Sequence, residues 1–402
     1  MIILPVPIYL VAGTMFYDSQ ACNGLRLWLE NFEHVTLCNP ILPVDTAPEA
    51  TSDVCAMFPT ANLDIRPLPA AWTPIEFFRT LRATRALLLE LIGRATHLQF
   101  AIGGFWGDWG AVGAILAAKR KRRVAIWTDR VESNVMRFQA KQYLGARRSY
   151  RLLTAWMAVR LERHVIRRSA MGLFHGMDTY HAYAPYSRSA HLVHDIHLGS
   201  DSRISRDDLA AKIARSRTGP VKIVYGGRVH SDKGVADWID TLALLAAKNV
   251  AFEATWFGDG PEIEFARKKI ASLGLNASIR FFGSVTDRAL LMQAFREADI
   301  FLFCHKTLES PRCLIEALLS GTPIIGYDSP YPRDLIQANK GGVLTTPNPA
   351  ALADALAAII AQPHRLAELA RAAAKDGHPL IDEEVFRHRS ELIKSLQVLD
   401  DV

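Results

Sequence analysis

Short apolar runs alternate with longer stretches of helical spacing along nearly the whole chain. "IILPVPIYLVAG" reads as a buried first strand, "NGLRLWLENF" as a helix and "VTLCNPIL" as the next strand. "THLQFAIGG", "GAVGAILAAKRKR" and "RVAIWTD" repeat the strand–helix–strand order. Beyond residue 219 a second series begins, with "VKIVYGG", "FEATWFGDG", "SIRFFGSV" and "DIFLFCH" as strands. Between them lie the helical "GVADWIDTLALLAAKN", "PEIEFARKKIASLG" and "DRALLMQAFREA". "TPIIGY" adds a further strand, and the stretches from "PAALADALAAII" to "EEVFRHRSELIKSL" are helical by their apolar spacing. Such alternation predicts parallel sheets covered by helices. The run 199–219 breaks the pattern: it is polar, with Gly, Ser and Pro, and reads as a connection between domains. The expected architecture is therefore α/β, with two doubly wound domains at 1–198 and 220–378 and a linker at 199–219. A last helix within 379–402 is expected to pack back on the first domain. In doubly wound sheets, ligands bind outside the carboxyl ends of the strands.

Composition narrows the class. Half of the 402 residues are hydrophobic and 22% are charged, as in globular chains. No stretch approaches the roughly 20 apolar residues that span a bilayer. The first residues lack a basic n-region and a cleavage site, so they read as a strand and not as a signal peptide. The five cysteines show no metal-type spacing and fit reduced thiols in a cytoplasmic protein. The net charge of +6 is regional: residues 119–168 hold fifteen Lys or Arg against Asp129, Glu132 and Glu162. Aromatic interleaving there is thin and no nucleic-acid motif accompanies it, so an anionic membrane face ranks above nucleic acid as a partner. "RRSYRLLTAWMAVRLERHVIRR", with Leu152, Leu153, Trp156, Val159 and Val165 among its arginines, either lies on such a face or packs inward beneath an arginine-rich exterior.

Candidate chemistry clusters at strand ends of the second series. "VYGGRVHSDKGVADWI" ends a strand in Gly226-Gly227, offers Arg228, and starts a helix after Lys233-Gly234. Glycines admit an anion close to the backbone, a helix start offers unpaired N–H groups, and Arg and Lys complete a grip for phosphate. Basic residues in such loops also occur without any ligand. "FGDGPE" brings Gly258 and Asp259 to a second strand end, and "FFGSVTD" presents the backbone of Ser284 and Val285 to a nucleobase edge. "LESPRCLIEALLSG" places Glu309 and Glu316 around the start of a helix, where a carboxylate can accept sugar hydroxyls or simply complement the helix dipole. His191, His194 and His197 are spaced by three, off one strand face, and no Asp-x-Asp pair is present, so no metal is expected.

Together "GGRVHSDKG", "FGDGP", "FFGSVTDRAL", "ADIFLF", "EALLSGTPIIGYD" and "GGVL" resemble the retaining glycosyltransferases of the family 4 type (glycosyl transferases group 1), which have the GT-B fold. The resemblance spans residues 226 to 344. It implies two Rossmann-like domains facing across a cleft and a nucleotide sugar, a UDP- or GDP-sugar, as donor substrate with no cofactor. It implies that Arg228 and Lys233 hold the diphosphate, Glu316 the ribose hydroxyls and Glu309 the transferred sugar, with Ser310, Pro311 and Arg312 beneath the sugar and phosphate. Gly227, Gly258, Asp259, Ser284 and Val285 line the donor. The family usually has seven residues between the two glutamates and here there are six, which puts Leu308 at the expected place.

The amino-terminal half matches loosely. Gly24 stands for the family's glycine-rich loop after the first strand. Gly104, Trp106 and Asp108 follow "THLQFAIGG" where a histidine often stands, Asp129 matches a common acidic position, and His175 ends another strand. These form the expected acceptor side, with Trp106 and Trp109 able either to stack on a sugar or to pack. The implied acceptor is a glycan or lipid-linked saccharide of surface polysaccharide or glycolipid synthesis, at the inner face of a membrane. A GT-B epimerase and a non-catalytic nucleotide-sugar-binding partner subunit are the alternatives.

Overall fold

A computed structural model describes residues 1–59, 62–141, 143–215, 219–307 and 309–398. The chain divides into two compact units, Met1–His197 with Glu383–Val402, and Leu198–Asp382.

In the first unit seven parallel strands run in the order Ala190–Val193, Met171–His175, Ala125–Thr128, Gln99–Ala101, Ile2–Ile3, Val35–Cys38 and Leu63–Ile65. Phe100, Ile126 and Phe174 put their side chains into its core. The order reverses between Ile2–Ile3 and Gln99–Ala101, so the loop following Ala101 opens at a switch point. The final helix, Asp382–Val398, packs within this unit, where Phe386 meets Trp28 edge-on at 5.3 Å and Arg389 pairs with Asp195 at 3.4 Å.

A second, five-stranded sheet departs from the sequence reading. "IILPVPIYLVAG" is two strands: Ile2–Ile3 in the large sheet and Ile8–Val11 in the small one. "VTLCNPIL" divides likewise into Val35–Cys38 and Pro40–Pro43. Prolines force both breaks, since Pro5 and Pro7 supply no ladder N–H and Pro40 restricts the residue before it. That residue, Asn39, is buried, and its amide donates to Val6 O and Tyr17 Oη at 2.7 Å each.

The second unit is a single parallel sheet in the order Ile279–Gly283, Phe252–Phe257, Val221–Gly226, Ile300–Phe303, Ile324–Tyr327 and Gly342–Thr345. Its switch point lies between Val221–Gly226 and Ile300–Phe303. Beneath it Trp256 stacks on Phe281 (centroids 5.7 Å) and meets Trp238 edge-on at 5.3 Å. Both indoles donate to strand ends, Trp256 to Gly227 O at 2.8 Å and Trp238 to Leu302 O at 3.1 Å, which ties the core to the loops above it.

The stretch expected as a linker contains a helix, Arg206–Arg215, and belongs to this unit. Its Ile213, with Leu209 alongside, packs on Ala367 and Ala370. Lys212 is buried and donates to Ser320 O at 3.1 Å and to the Thr322 hydroxyl. Two apolar residues and one lysine stem suffice to dock a short helix, so its polar surface reads as a linker. Residues 216–218, in the same stretch, lie outside the described residues.

Candidate functional site

Three loops at the carboxyl ends of the second unit's strands are laced together through the backbone. Gly227 N donates to Phe257 O at 2.9 Å, Gly258 N to Gly283 O at 2.7 Å, and Val229 N to Asp259 O at 3.0 Å. Glycine is required at 258: its φ is +139°, and a Cβ there would lie 2.1 Å from Gly227 O. Gly234 is held as tightly, with φ +70° and a Cβ position 1.9 Å from Cys304 O, which presses the Lys233 turn against the end of the strand Ile300–Phe303.

That turn and the loop after Ile300–Phe303 meet at the switch point. Lys233 Nζ donates to both carboxylate oxygens of Glu309 at 2.6 Å. Two residues 76 positions apart, each expected at a ligand, thus face one another. His305 stands behind the pair, its Nδ1 3.6 Å from Glu309 Oε1 and its Nε2 2.7 Å from Tyr225 Oη. Burial, aided by the Lys233 charge, lowers its pKa well below the ordinary value, so the imidazole is neutral beside the ion pair. Arg228 is largely exposed, its guanidinium 4.0 Å from the Asp232 carboxylate, which in turn bonds His230 at 2.7 Å.

Glu309 precedes the helix Arg312–Leu319, whose N-cap is Pro311. Glu316, in the second turn of that helix, is buried and paired with Arg288, the first residue of the helix Arg288–Glu297. The Cys313 thiol between the two glutamates is raised in pKa by burial and then by Glu316, so it stays protonated. Asp259 and Ser284 are exposed and Val285 is half-buried at neighbouring strand ends; Ser310, Pro311 and Arg312 lead into the glutamate helix. Leu308, where the family's spacing would place the first glutamate, lies outside the described residues. Sequence reasoning missed Tyr225, His305 and Arg288. Arg288 stands in the quoted "TDRAL", and its charge at a helix start was the available signal.

In the first unit, Gly104, Trp106 and Asp108 occupy the loop after Gln99–Ala101, Asp129 is exposed just beyond Ala125–Thr128, and His175 is buried at the end of Met171–His175. All five thus follow three neighbouring strands at their carboxyl ends. Asp108 caps the helix Trp109–Lys119: its carboxylate accepts from Ala111 N at 2.8 Å and from Gly103 N at 3.0 Å, while burial raises its pKa to about 6. Trp106 packs among Phe77, Phe78 and Phe105, whereas Trp109 is buried, stacks on Phe77 and donates to Pro69 O at 2.8 Å. Gly24 is a correction. It lies inside the helix Ser19–Asn31 and not in a loop, where a Cβ would meet His197 and Phe386 at 3.3 Å, so it serves helix packing. Among the described residues no group of three or more His, Cys, Asp or Glu is arranged to hold a metal ion. Among the same residues no helix is long and apolar enough to cross a membrane.

Known proteins resemble parts or all of this chain. The glycosyl transferases group 1 family profile matches residues 207–376. The 2-deoxystreptamine N-acetyl-D-glucosaminyltransferase of Niallia circulans is 26% identical over 159 residues, 40% of this chain and 38% of that protein. The UDP-N-acetylglucosamine–peptide N-acetylglucosaminyltransferase GtfA subunit of Streptococcus agalactiae is 29% identical over 176 residues, 42% of this chain and 32% of the relative. The matches thus span well under half the length of these curated relatives. Among solved structures, HepE of Anabaena in complex with UDP superposes with a TM-score of 0.67 at 15% identity, covering 98% of this chain and 99% of that one. WaaG, a glycosyltransferase involved in lipopolysaccharide biosynthesis, gives a TM-score of 0.61 at 12% identity and 98% coverage of both chains. Residues 207–376 thus match the glycosyl transferases group 1, and the fold of the chain is GT-B.

Proposed function

We propose that the chain transfers a sugar from a nucleotide-diphosphate sugar to a glycan or lipid-linked acceptor, with retention at the anomeric carbon as in the family 4 type. The observation that carries this reading is the convergence of Lys233 and Glu309 at the switch point of the second unit, with Glu316 buried in the adjoining helix. Charge builds on the departing diphosphate as the sugar becomes cation-like. Fixed positive groups placed where that charge develops lower the barrier, and Arg228 and Lys233 are such groups. Glu309, held by Lys233, faces the transferred sugar. Glu316, oriented by Arg288, accepts hydrogen bonds from the ribose hydroxyls. Gly227, Gly258 and Asp259 border the diphosphate and sugar, the backbone of Ser284 and Val285 meets the base, and Ser310 to Arg312 floor the pocket. No group in this scheme requires a cofactor.

UDP or GDP is the expected nucleotide, and the solved HepE complexes with UDP and with UDP-glucose favour the former. The acceptor side is assigned to the loop of Gly104, Trp106 and Asp108 with Asp129 and His175. WaaG's part in lipopolysaccharide biosynthesis favours an acceptor of surface polysaccharide or glycolipid assembly. The test is thermal stabilisation by UDP-, GDP- and ADP-sugars, on the wild type and on Arg228→Ala. A ligand at a hundred times its dissociation constant adds about 2.7 kcal/mol. One nucleotide class should shift the wild type and fail to shift the variant at the same concentration. No shift in either protein at millimolar sugar nucleotide would sink the donor site, and donor binding without hydrolysis or transfer would sink the enzyme.

A further inference from the structure

The helix Gly145–Arg168 begins with more than two turns that bury nothing. Every residue from Leu144 to Leu153 is exposed, and a buried side appears only from Ala155 onward, through Ala158, Val165 and Ile166. The inward-packing reading of this basic stretch therefore holds for its second half alone. In the first half Leu144 is 84% exposed and Leu153 53%, and Trp156 just beyond them is 48% exposed. Arg160, Arg163 and Arg167 are exposed on the same side of the helix as Leu153 and Trp156, whereas Arg147, Arg148 and Arg151 continue the side of Ala155 and Ala158; the helix's single acid, Glu162, is buried.

A second element extends this surface. Trp72, and Ile75 and Phe78 at the start of the helix Pro74–Arg94, are more than half exposed, with Arg79 and Arg82 beside them. Trp106 joins the two elements: its ring meets Phe78 edge-on at 5.8 Å, and its indole N–H donates to the Tyr150 hydroxyl at 3.4 Å. The result is one exposed apolar surface, aromatic and leucine-rich, interleaved with arginines. Soluble surfaces rarely join so many large apolar groups without a partner. The headgroup layer of a bilayer takes this mixture, because aromatic rings sit at its boundary and arginine stems are apolar while their heads reach phosphates. Of the acids among these residues Glu162 is buried and Glu76 is held by the Thr73 backbone and hydroxyl, so the surface is apolar and cationic and complements an anionic leaflet better than a protein face, where charges of both signs would be met.

We propose that this surface docks on an anionic lipid bilayer. Leu153 and Trp156 enter the headgroup–acyl boundary together with Trp72, Ile75 and Phe78, and Arg160, Arg163 and Arg167, exposed on the same side of the helix, lie against lipid phosphates. Trp106 belongs both to this surface and to the loop assigned to the acceptor, so docking brings that loop to the lipid. The proposal goes beyond the donor reading and is tested without nucleotide, so either can fail alone.

The test is flotation of the full chain with vesicles of phosphatidylcholine alone and of phosphatidylcholine mixed with phosphatidylglycerol. The wild type should float with the mixed vesicles, and added salt should release it. Each arginine near an anionic surface contributes about fivefold in partitioning, so replacing Arg160, Arg163 and Arg167 by Ala together should weaken binding about a hundredfold. A second measurement needs no triple variant: lipids brominated on the acyl chains should quench tryptophan fluorescence, less so in Trp156→Phe. Absence of flotation, flotation unchanged by the triple replacement, or no quenching at saturating vesicles overturns the proposal. So does a dimer in sedimentation that Leu153→Glu dissolves while flotation is unaltered, since this surface would then pair copies of the chain.

Discussion

Glu316→Gln isolates one hydrogen-bonding group of the proposed donor site. The carboxylate is buried and is oriented by its ion pair with Arg288. In the donor reading its oxygens accept both ribose hydroxyls, and a hydrogen bond to a charged group is worth about 1.5–3 kcal/mol. The amide keeps the shape and one acceptor but loses the charge. The expected loss is about 2 kcal/mol, which is about thirtyfold weaker nucleotide binding. Calorimetric titration with the nucleoside diphosphate that binds, and with its 2′,3′-dideoxy analogue, separates this effect from a general loss of fold. The wild type should prefer the natural ribose by about thirtyfold, and the variant should barely distinguish the two. Arg288→Met is the companion change: it leaves a carboxylate buried without its cation, which costs about 3–5 kcal/mol when both partners are fully enclosed. Arg288 is 37% exposed, so water relieves part of this and about 2 kcal/mol is expected. If Glu316→Gln weakens both nucleotides equally, or neither, Glu316 does not bond the ribose.

Two further predictions concern stability. Lys212 is buried with its pKa lowered to about 7, so between that value and its unfolded value near 10.5 the unfolded chain holds a proton the native chain does not. Stability therefore rises with pH across that window, by at most about 5 kcal/mol. Urea unfolding of wild type and Lys212→Met from pH 7 to 10 should show this slope only in the wild type, and parallel slopes would refute it. Gly234→Ala places a Cβ against Cys304 O in a left-handed backbone that costs an L residue about 1–2 kcal/mol even without the clash. The variant should lose more than that in urea and bind sugar nucleotide weakly, because the Lys233 turn shifts; wild-type values for both would show that the turn tolerates the change.

The second unit was legible because its signals are local. The central strands Val221–Gly226, Ile300–Phe303 and Ile324–Tyr327 are largely buried apolar runs ending at a glycine or at the head of a loop, and helix starts are marked by residues such as Asp287 and the Asn348-Pro349 pair. Those signals placed Arg228, Lys233 and Glu316 at strand and helix ends without any tertiary information. They could not reveal that Lys233 grips Glu309 or that Arg288 grips Glu316, since both pairs are set by strand order and not by spacing. Tyr225 and His305 went unnoticed for the same reason: in "IVYGG" and "LFCHK" they look like ordinary strand-end residues, and only the adjacency of Val221–Gly226 to Ile300–Phe303 brings them into contact. The five-stranded sheet was hidden because apolar runs carry no mark of which sheet each half joins. The decisive residue there is Asn39, whose amide ties two chain segments at the break.

The two units differ in what holds their strand-end loops, and this difference explains why only one could be read. In the second unit the loops after Val221–Gly226, Phe252–Phe257 and Ile279–Gly283 bond one another through the backbone, and glycine at 258 is the sequence trace of that close approach. A diphosphate and a ribose ask for the same groups whatever sugar they carry, so the residues that meet them have a recognisable type. In the first unit the loop after Gln99–Ala101 is organised by side chains: Asp108 binds Gly103 N and caps the next helix, while Trp106 leans on Phe77, Phe78 and Tyr150. An aromatic cluster of that kind looks the same in a sequence whether it packs a core or meets a ligand or membrane. Phe78, Trp72 and Ile75 face outward where a core would have covered them, and the proposed docking rests on that exposure, which composition alone does not carry.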